Sequence, residues 1–82
     1  MIAERKNITE TKIITDRQPT LEELQKFVGG NIELVYLQNG DHLIVNEEGL
    51  LLQLKKNHEA SEIAGQTIVG NALVLKGKAR LT

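Results

Sequence analysis

TLEELQKFVGGNIELVYLQNGDHLIVNEEG, running from Thr20 to Gly49, holds a helix start, a helix stop and a hairpin in one unbroken stretch. Thr20 is a good N-cap, and Glu23 three positions later completes a capping box, in which each residue satisfies an amide of the other. Pro19 closes the approach and turns Gln18 away from helical geometry. Leu21, Leu24, Phe27 and Val28 form a single apolar stripe, and Gly29-Gly30 supplies the left-handed stop. Glu22 and Glu23 at the start and Lys26 near the end suit the helix dipole; the plain reading of these charges is a solvated face.

Downstream, Asn39-Gly40 between 31–38 and 41–46 predicts a two-residue hairpin turn. That turn sets Tyr36 opposite Leu43 and Leu34 opposite Val45 on one face, with Val35 opposite Ile44 and Leu37 opposite His42 on the other. A sheet with one wet side alternates apolar and polar residues, but this hairpin is apolar on both sides. The last strand repeats the pattern, with Ala72 and Val74 facing one way and Leu73 and Leu75 the other. One long helix covers one face. The other calls for a curled, barrel-like sheet, a short helix over 58–64, or a second copy of the chain. Small size and two-sided strands together favour the second copy, so a homo-oligomer is expected.

Outside this stretch the chain is less explicit. Its 82 residues make one domain, 1–82, with a thin core. Residues 1–19 are rich in Ile and Thr and read as strands near 2–7 and 11–16. Leu50–Leu54 follows the turn Asn46-Glu47-Glu48-Gly49, and periodicity does not separate a strand from a helical turn there. Asn57 caps a brief helix, 58–64, that Gly65 ends, and 67–75 reads as a strand interrupted at Gly70-Asn71. The expected fold is α+β: one principal helix packed on a small, mainly antiparallel, strongly curved sheet with a central hairpin over 31–46.

Composition excludes several function classes. With no cysteine there is no disulfide framework, thiolate metal site or thiol nucleophile. A net charge of −1 gives no global attraction to nucleic acid or anionic membrane, and Phe27 and Tyr36 are too few for a base-stacking platform. No apolar run of signal-peptide length follows Met1-Ile2, and Leu50–Leu52 is far short of a membrane span, so a soluble, cytoplasmic protein is expected.

Catalytic equipment is thin as well. Ser61 is the only serine and lies in a predicted helix, without the strand-turn-helix elbow of a nucleophile. Asp41 and His42 are adjacent on a strand and point to opposite faces, which is poor ligand geometry, so no metal site and no cofactor are expected. Glu47-Glu48 imitates an acid and base pair but reads more simply as solvated turn carboxylates. Gly65–Asn71 lacks the Gly-Lys-Ser/Thr ending of a phosphate loop. Lys76, Lys78 and Arg80 alternate, so an extended chain presents them on one face as a comb for phosphates; the plain alternative is a charged edge that discourages aggregation.

Leu21-Glu22-Glu23-Leu24-Gln25, Phe27-Val28-Gly29-Gly30, Ile44-Val45-Asn46-Glu47-Glu48-Gly49 and Ile68-Val69-Gly70-Asn71-Ala72 occur in that order. Together they resemble a family of small bacteriophage-encoded proteins of unassigned function, over Thr20 to Arg80, making 20–80 a family-like core. The chain departs from it at Lys55-Lys56, where that family carries proline. The resemblance implies phage origin, an α+β fold and the cytoplasm of an infected bacterial host cell; it implies no activity and no catalytic residues.

Small accessory phage proteins commonly bind host components, an analogy of setting rather than of residues. The expected function is therefore a non-catalytic accessory protein, oligomeric, binding a host protein or sequestering a small anionic nucleotide-type signal against host defence. For the nucleotide version Lys76, Lys78 and Arg80 are the phosphate ligands and Tyr36 the stacking partner, with Asn46 and Asn71 as further candidates. The alternative is a structural or modulatory part of a larger phage or host machine. A small hydrolase using Glu47 or Glu48 with His42 or His58 stands third.

Overall fold

The structure is a computed structural model, and it describes residues 9–81. Its elements in chain order are β1 (Thr11–Ile14), α1 (Leu21–Val28), β2 (Ile32–Tyr36), β3 (His42–Asn46), α2 (His58–Ala64) and β4 (Ala72–Leu75), with a closing 3-10 turn at Gly77–Ala79. The expected strand near 2–7 lies outside the described residues; that near 11–16 is β1.

Both helices start and stop where local side-chain chemistry dictates. Glu23 donates its amide to the Thr20 hydroxyl (3.2 Å) while its carboxylate accepts the Thr20 N–H (2.9 Å), the reciprocal box. Gly29 ends α1 at φ +83°, a conformation an L side chain enters only at steric cost, and its N–H donates to Gln25 O. Asn57 caps α2 by accepting the Ala60 N–H (3.0 Å), and Gly65 ends it.

The strands form an open four-stranded sheet in the order β1-β4-β3-β2, with β1 parallel to β4 and the other neighbours antiparallel. The fold is α+β, as expected, but the sheet is not strongly curled. It has no need to curl, because each face is covered. On one side α1 lays Leu24 and Val28 against Ile44, Leu73 and Leu75. On the other, Ala60 of α2 and Ile68 pack on Leu43, Val45, Ala72 and Val74. The cover expected of a second copy is thus supplied within the chain.

The hairpin register differs from expectation by one residue. Leu34 pairs with Ile44, Val35 with Leu43 and Tyr36 with His42. A two-residue type I′ turn needs positive φ at both Asn39 and Gly40. Only Gly40 has it, at +94°, and among the described residues Gln53 is the only non-glycine residue with positive φ. The loop is therefore Gln38-Asn39-Gly40, closed by Leu37 N–H to Asp41 O (2.9 Å) and Gly40 N–H to Leu37 O (3.0 Å). Asn39 Oδ1 accepts the Asp41 N–H (2.9 Å) and holds the turn in this form. The extra residue exchanges faces. Leu34 and Ile44 look toward α1, while Val35, Leu37, Leu43 and Val45 look toward α2.

The expected strand over 67–75 is shorter than its pattern. Only Ala72–Leu75 joins the sheet, while Val69 bridges to Lys56 outside it. Asn57 N–H to Ile68 O and Gly70 N–H to Lys55 O (both 2.8 Å) clamp these two pieces of loop together. Leu50–Leu52 is neither strand nor helix but a run of turns.

Candidate functional site

The candidate residues fall at opposite ends of the sheet. Tyr36, Lys76 and Arg80 gather at the hairpin tip. Tyr36 is 75% exposed and meets the His42 ring edge-on at 5.2 Å. Lys76 Nζ donates to the Asp41 carboxylate at 2.6 Å, and Arg80 donates from its guanidinium to Gly40 O (2.9 Å). His42 Nδ1 accepts the Leu81 N–H (3.0 Å), tying the C-terminal segment to the start of β3. The hydrogen bond from Lys76 holds Asp41 below the ordinary carboxylate range, against the partial burial that pulls it upward.

The extended comb is not present. Gly77 takes φ +55° and the chain turns through Gly77–Ala79, so Lys76, Lys78 and Arg80 do not share one face. Two of the three cations are engaged with groups of the hairpin tip.

Asn46 and Asn71 sit at the far end, where they hold backbone. Asn46 Nδ2 donates to Val28 O (3.1 Å) and its Oδ1 accepts the Glu48 N–H (2.7 Å). Asn71 Nδ2 donates to Phe27 O (3.1 Å) and its Oδ1 accepts the Glu10 N–H (2.9 Å). Both satisfy carbonyls that the last turn of a helix leaves without partners. Of the hydrolase pairings, that of His42 with Glu47 is split by the length of a strand, since His42 opens β3 and Glu47 follows its other end. Ser61 Oγ donates to Asn57 O (2.7 Å) and accepts the Ile68 N–H (2.8 Å), fastening α2 to the following loop. Among the described residues no group of three or more His, Asp or Glu side chains could hold a metal ion.

What sequence reading missed lies on the α2 side of β2. A groove of about 380 Å³ runs there, floored by Val35, Val45 and Ile68 and walled by Glu47–Leu51 and 66–69. Leu50 and Leu51 stand at its rim with 80% and 78% of their surface exposed. The signal was present in Leu50-Leu51-Leu52, three leucines directly after a glycine turn with no strand partner assigned to them. Their exposure depended on where the chain went next.

Architecture and groove together define a small α+β domain with an open sheet edge beside an apolar recess. The chain belongs to the family described as a domain of unknown function, DUF3846, whose model matches residues 1–80 and so takes in 1–19 as well as the stretch from Thr20. No curated protein and no solved structure matches it. Among the described residues no helix is long and apolar enough to cross a membrane.

Proposed function

We propose that this protein is a non-catalytic accessory protein of phage origin that acts by binding a host protein through the groove beside β2. The observation that carries this reading is the pair Leu50 and Leu51, adjacent aliphatic side chains at the groove's rim that are more exposed than any other large apolar side chain among the described residues. Large apolar side chains grouped at a recess mark a contact surface more often than an accident of packing. The version in which a small anionic signal is sequestered has less support, because Lys76 and Arg80 are already held by Asp41 and the Gly40 carbonyl.

Native mass spectrometry of the full chain, purified gently from bacterial cells, tests the reading. We expect a complex with one host protein that disappears in the Leu50→Ser, Leu51→Ser double variant, with Tm unchanged because neither side chain is buried. Extra mass of only a few hundred daltons, or a complex that survives the double variant, would overturn it. The same spectrum reads the subunit number, which the covered sheet faces no longer dictate.

A further inference from the structure

Resting on that binding reading, we propose that the groove takes an extended, basic segment of its partner, which adds to the sheet as a fifth strand beside β2. Three independent features of the structure converge on this.

The first is backbone phase. Leu37 N–H donates to Asp41 O at one end of the hairpin, and Glu47 N–H donates to Asn31 O at the other. Hydrogen-bonded pairs alternate along an antiparallel ladder, so Asn31, Glu33, Val35 and Leu37 turn their backbone groups toward β3. Ile32, Leu34 and Tyr36 therefore point theirs outward. β2 is the edge of the sheet, and no other described strand pairs with it there. Only another extended chain satisfies that row of donors and acceptors in kind.

The second is charge. Glu33, Glu47 and Glu48 line the groove, and no lysine or arginine does. All three are exposed. A second copy would add its own Glu33, Glu47 and Glu48 to an edge that already carries these three carboxylates and no cation, and this build-up of like charge opposes self-pairing there. A strand carrying lysine or arginine is drawn to it instead. If the segment adds antiparallel to β2, Glu33 faces it in a non-hydrogen-bonded pair, where side chains approach most closely, and a basic residue opposite it is well placed.

The third is the apolar floor. The side chain that shares Glu33's face on β2 is Val35, with Val45, Ile68, Leu50 and Leu51 around it. The incoming segment should therefore alternate, presenting basic and aliphatic residues in turn on the side toward α2.

The probe is a synthetic peptide alternating lysine and valine on one face with threonine on the other, titrated into the full chain by fluorescence anisotropy. A matched peptide carries glutamate for lysine. We expect the lysine peptide to bind, the glutamate peptide to bind at least about tenfold more weakly, and Glu33→Lys to reverse that preference. Hydrogen exchange by NMR should show protection gained at the amides of Ile32, Leu34 and Tyr36. Tyr36→Pro, which removes an outward N–H at an exposed position, should weaken binding while Tm stays near that of the parent.

Equal binding of the two peptides, or protection gained only elsewhere, would overturn the proposal. So would edge amides already protected in the free protein alongside a mass of several chains, since a second copy would then hold the edge. A host complex that depends on Leu50 and Leu51 but ignores Glu33→Lys would leave the binding reading standing and end this one. Peptide binding at the edge with no host complex would keep the edge as a strand-binding site and end the choice of a host protein as its partner.

Discussion

The two faces of the sheet are closed by different means. Beneath α1 the contact is made of large side chains: Leu24, Ile44 and Leu75 are fully buried, and a capped, amphipathic helix supplies the cover. Beneath α2 the helix contributes Ala60 and Ala64, too small to reach far, and what draws it down is polar. Asn57, 2% exposed, accepts the Ala60 N–H and the Thr11 hydroxyl while donating to Gly70 O (2.9 Å). One face is held by hydrophobic volume, the other by an asparagine that joins a helix cap, a loop and the edge of β1. A hydrophobic pattern therefore announces the first cover and conceals the second.

Removing volume from the α1 face should have the largest effect. Leu24→Ala empties a site that is 1% exposed and should cost about 3–5 kcal/mol, a large share of the stability of a domain this size. Chemical denaturation measures it. A loss near 1 kcal/mol would mean that α1 settles into the gap and that the face is softer than its burial implies.

Asn57→Ala should come next, at about 2–4 kcal/mol, since it removes a helix cap and leaves the Gly70 carbonyl without its buried partner. The loss should be local. Hydrogen exchange should quicken over α2 and 66–70 while α1 keeps its protection. Uniform quickening would show that the two faces are not independently held. Asn57→Asp sharpens the point, because it keeps the cap acceptor but turns an oxygen toward Gly70 O. It should lose the loop clamp and retain the helix start.

The same contrast explains what the sequence disclosed. Caps are local: Thr20 with Glu23, Gly29, Asn57 and Gly65 each act within a turn of the helix they bound, so the limits of both helices could be read directly. The register of the hairpin could not, because Asn39-Gly40 suits both a two-residue turn and the last part of a three-residue one. The choice is made by backbone dihedrals and the Asn39 side chain. Nor could the second cover, whose decisive bond runs from Asn57 to a carbonyl thirteen residues on. The candidate site suffered most. Asn46 and Asn71 read equally as site residues or turn formers until their amides are seen on the end of α1, and the groove required knowing that Leu50 and Leu51 fold back toward β2 without being buried.

A smaller effect is expected at the start of α1. Thr20→Ala removes the acceptor for the Glu23 N–H and should cost about 1 kcal/mol, lowering Tm by roughly 4–8 °C. Thr20→Ser should restore nearly all of it, because the hydroxyl is the part that works. A full loss in the serine variant would transfer the effect to the lost methyl group and away from the cap.

The smallest difference lies in acid, and it concerns the hairpin tip and the α1 cap together. Asp41 is held below the ordinary carboxylate range by the Lys76 hydrogen bond, and Glu23 by its hydrogen bond from Arg17 and the Thr20 amide. Each carboxylate has a lower pKa folded than unfolded, so below neutral pH the unfolded chain takes up protons first. Their contribution is complete above about pH 4–5, the range of the free side chains, and is lost as pH falls through the folded values. Tm should therefore be flat near neutrality and decline below about pH 4. Asp41→Asn should flatten part of that decline, and so should Lys76→Met, because the two remove the same pair. Asp41 is the more shielded partner, with 13% of its side chain exposed against 46% for Glu23, so added salt should weaken the Glu23 share more readily. If Asp41→Asn leaves the acid limb unchanged, the tip bridge contributes nothing to folding, and its value is confined to fixing the turn between β2 and β3.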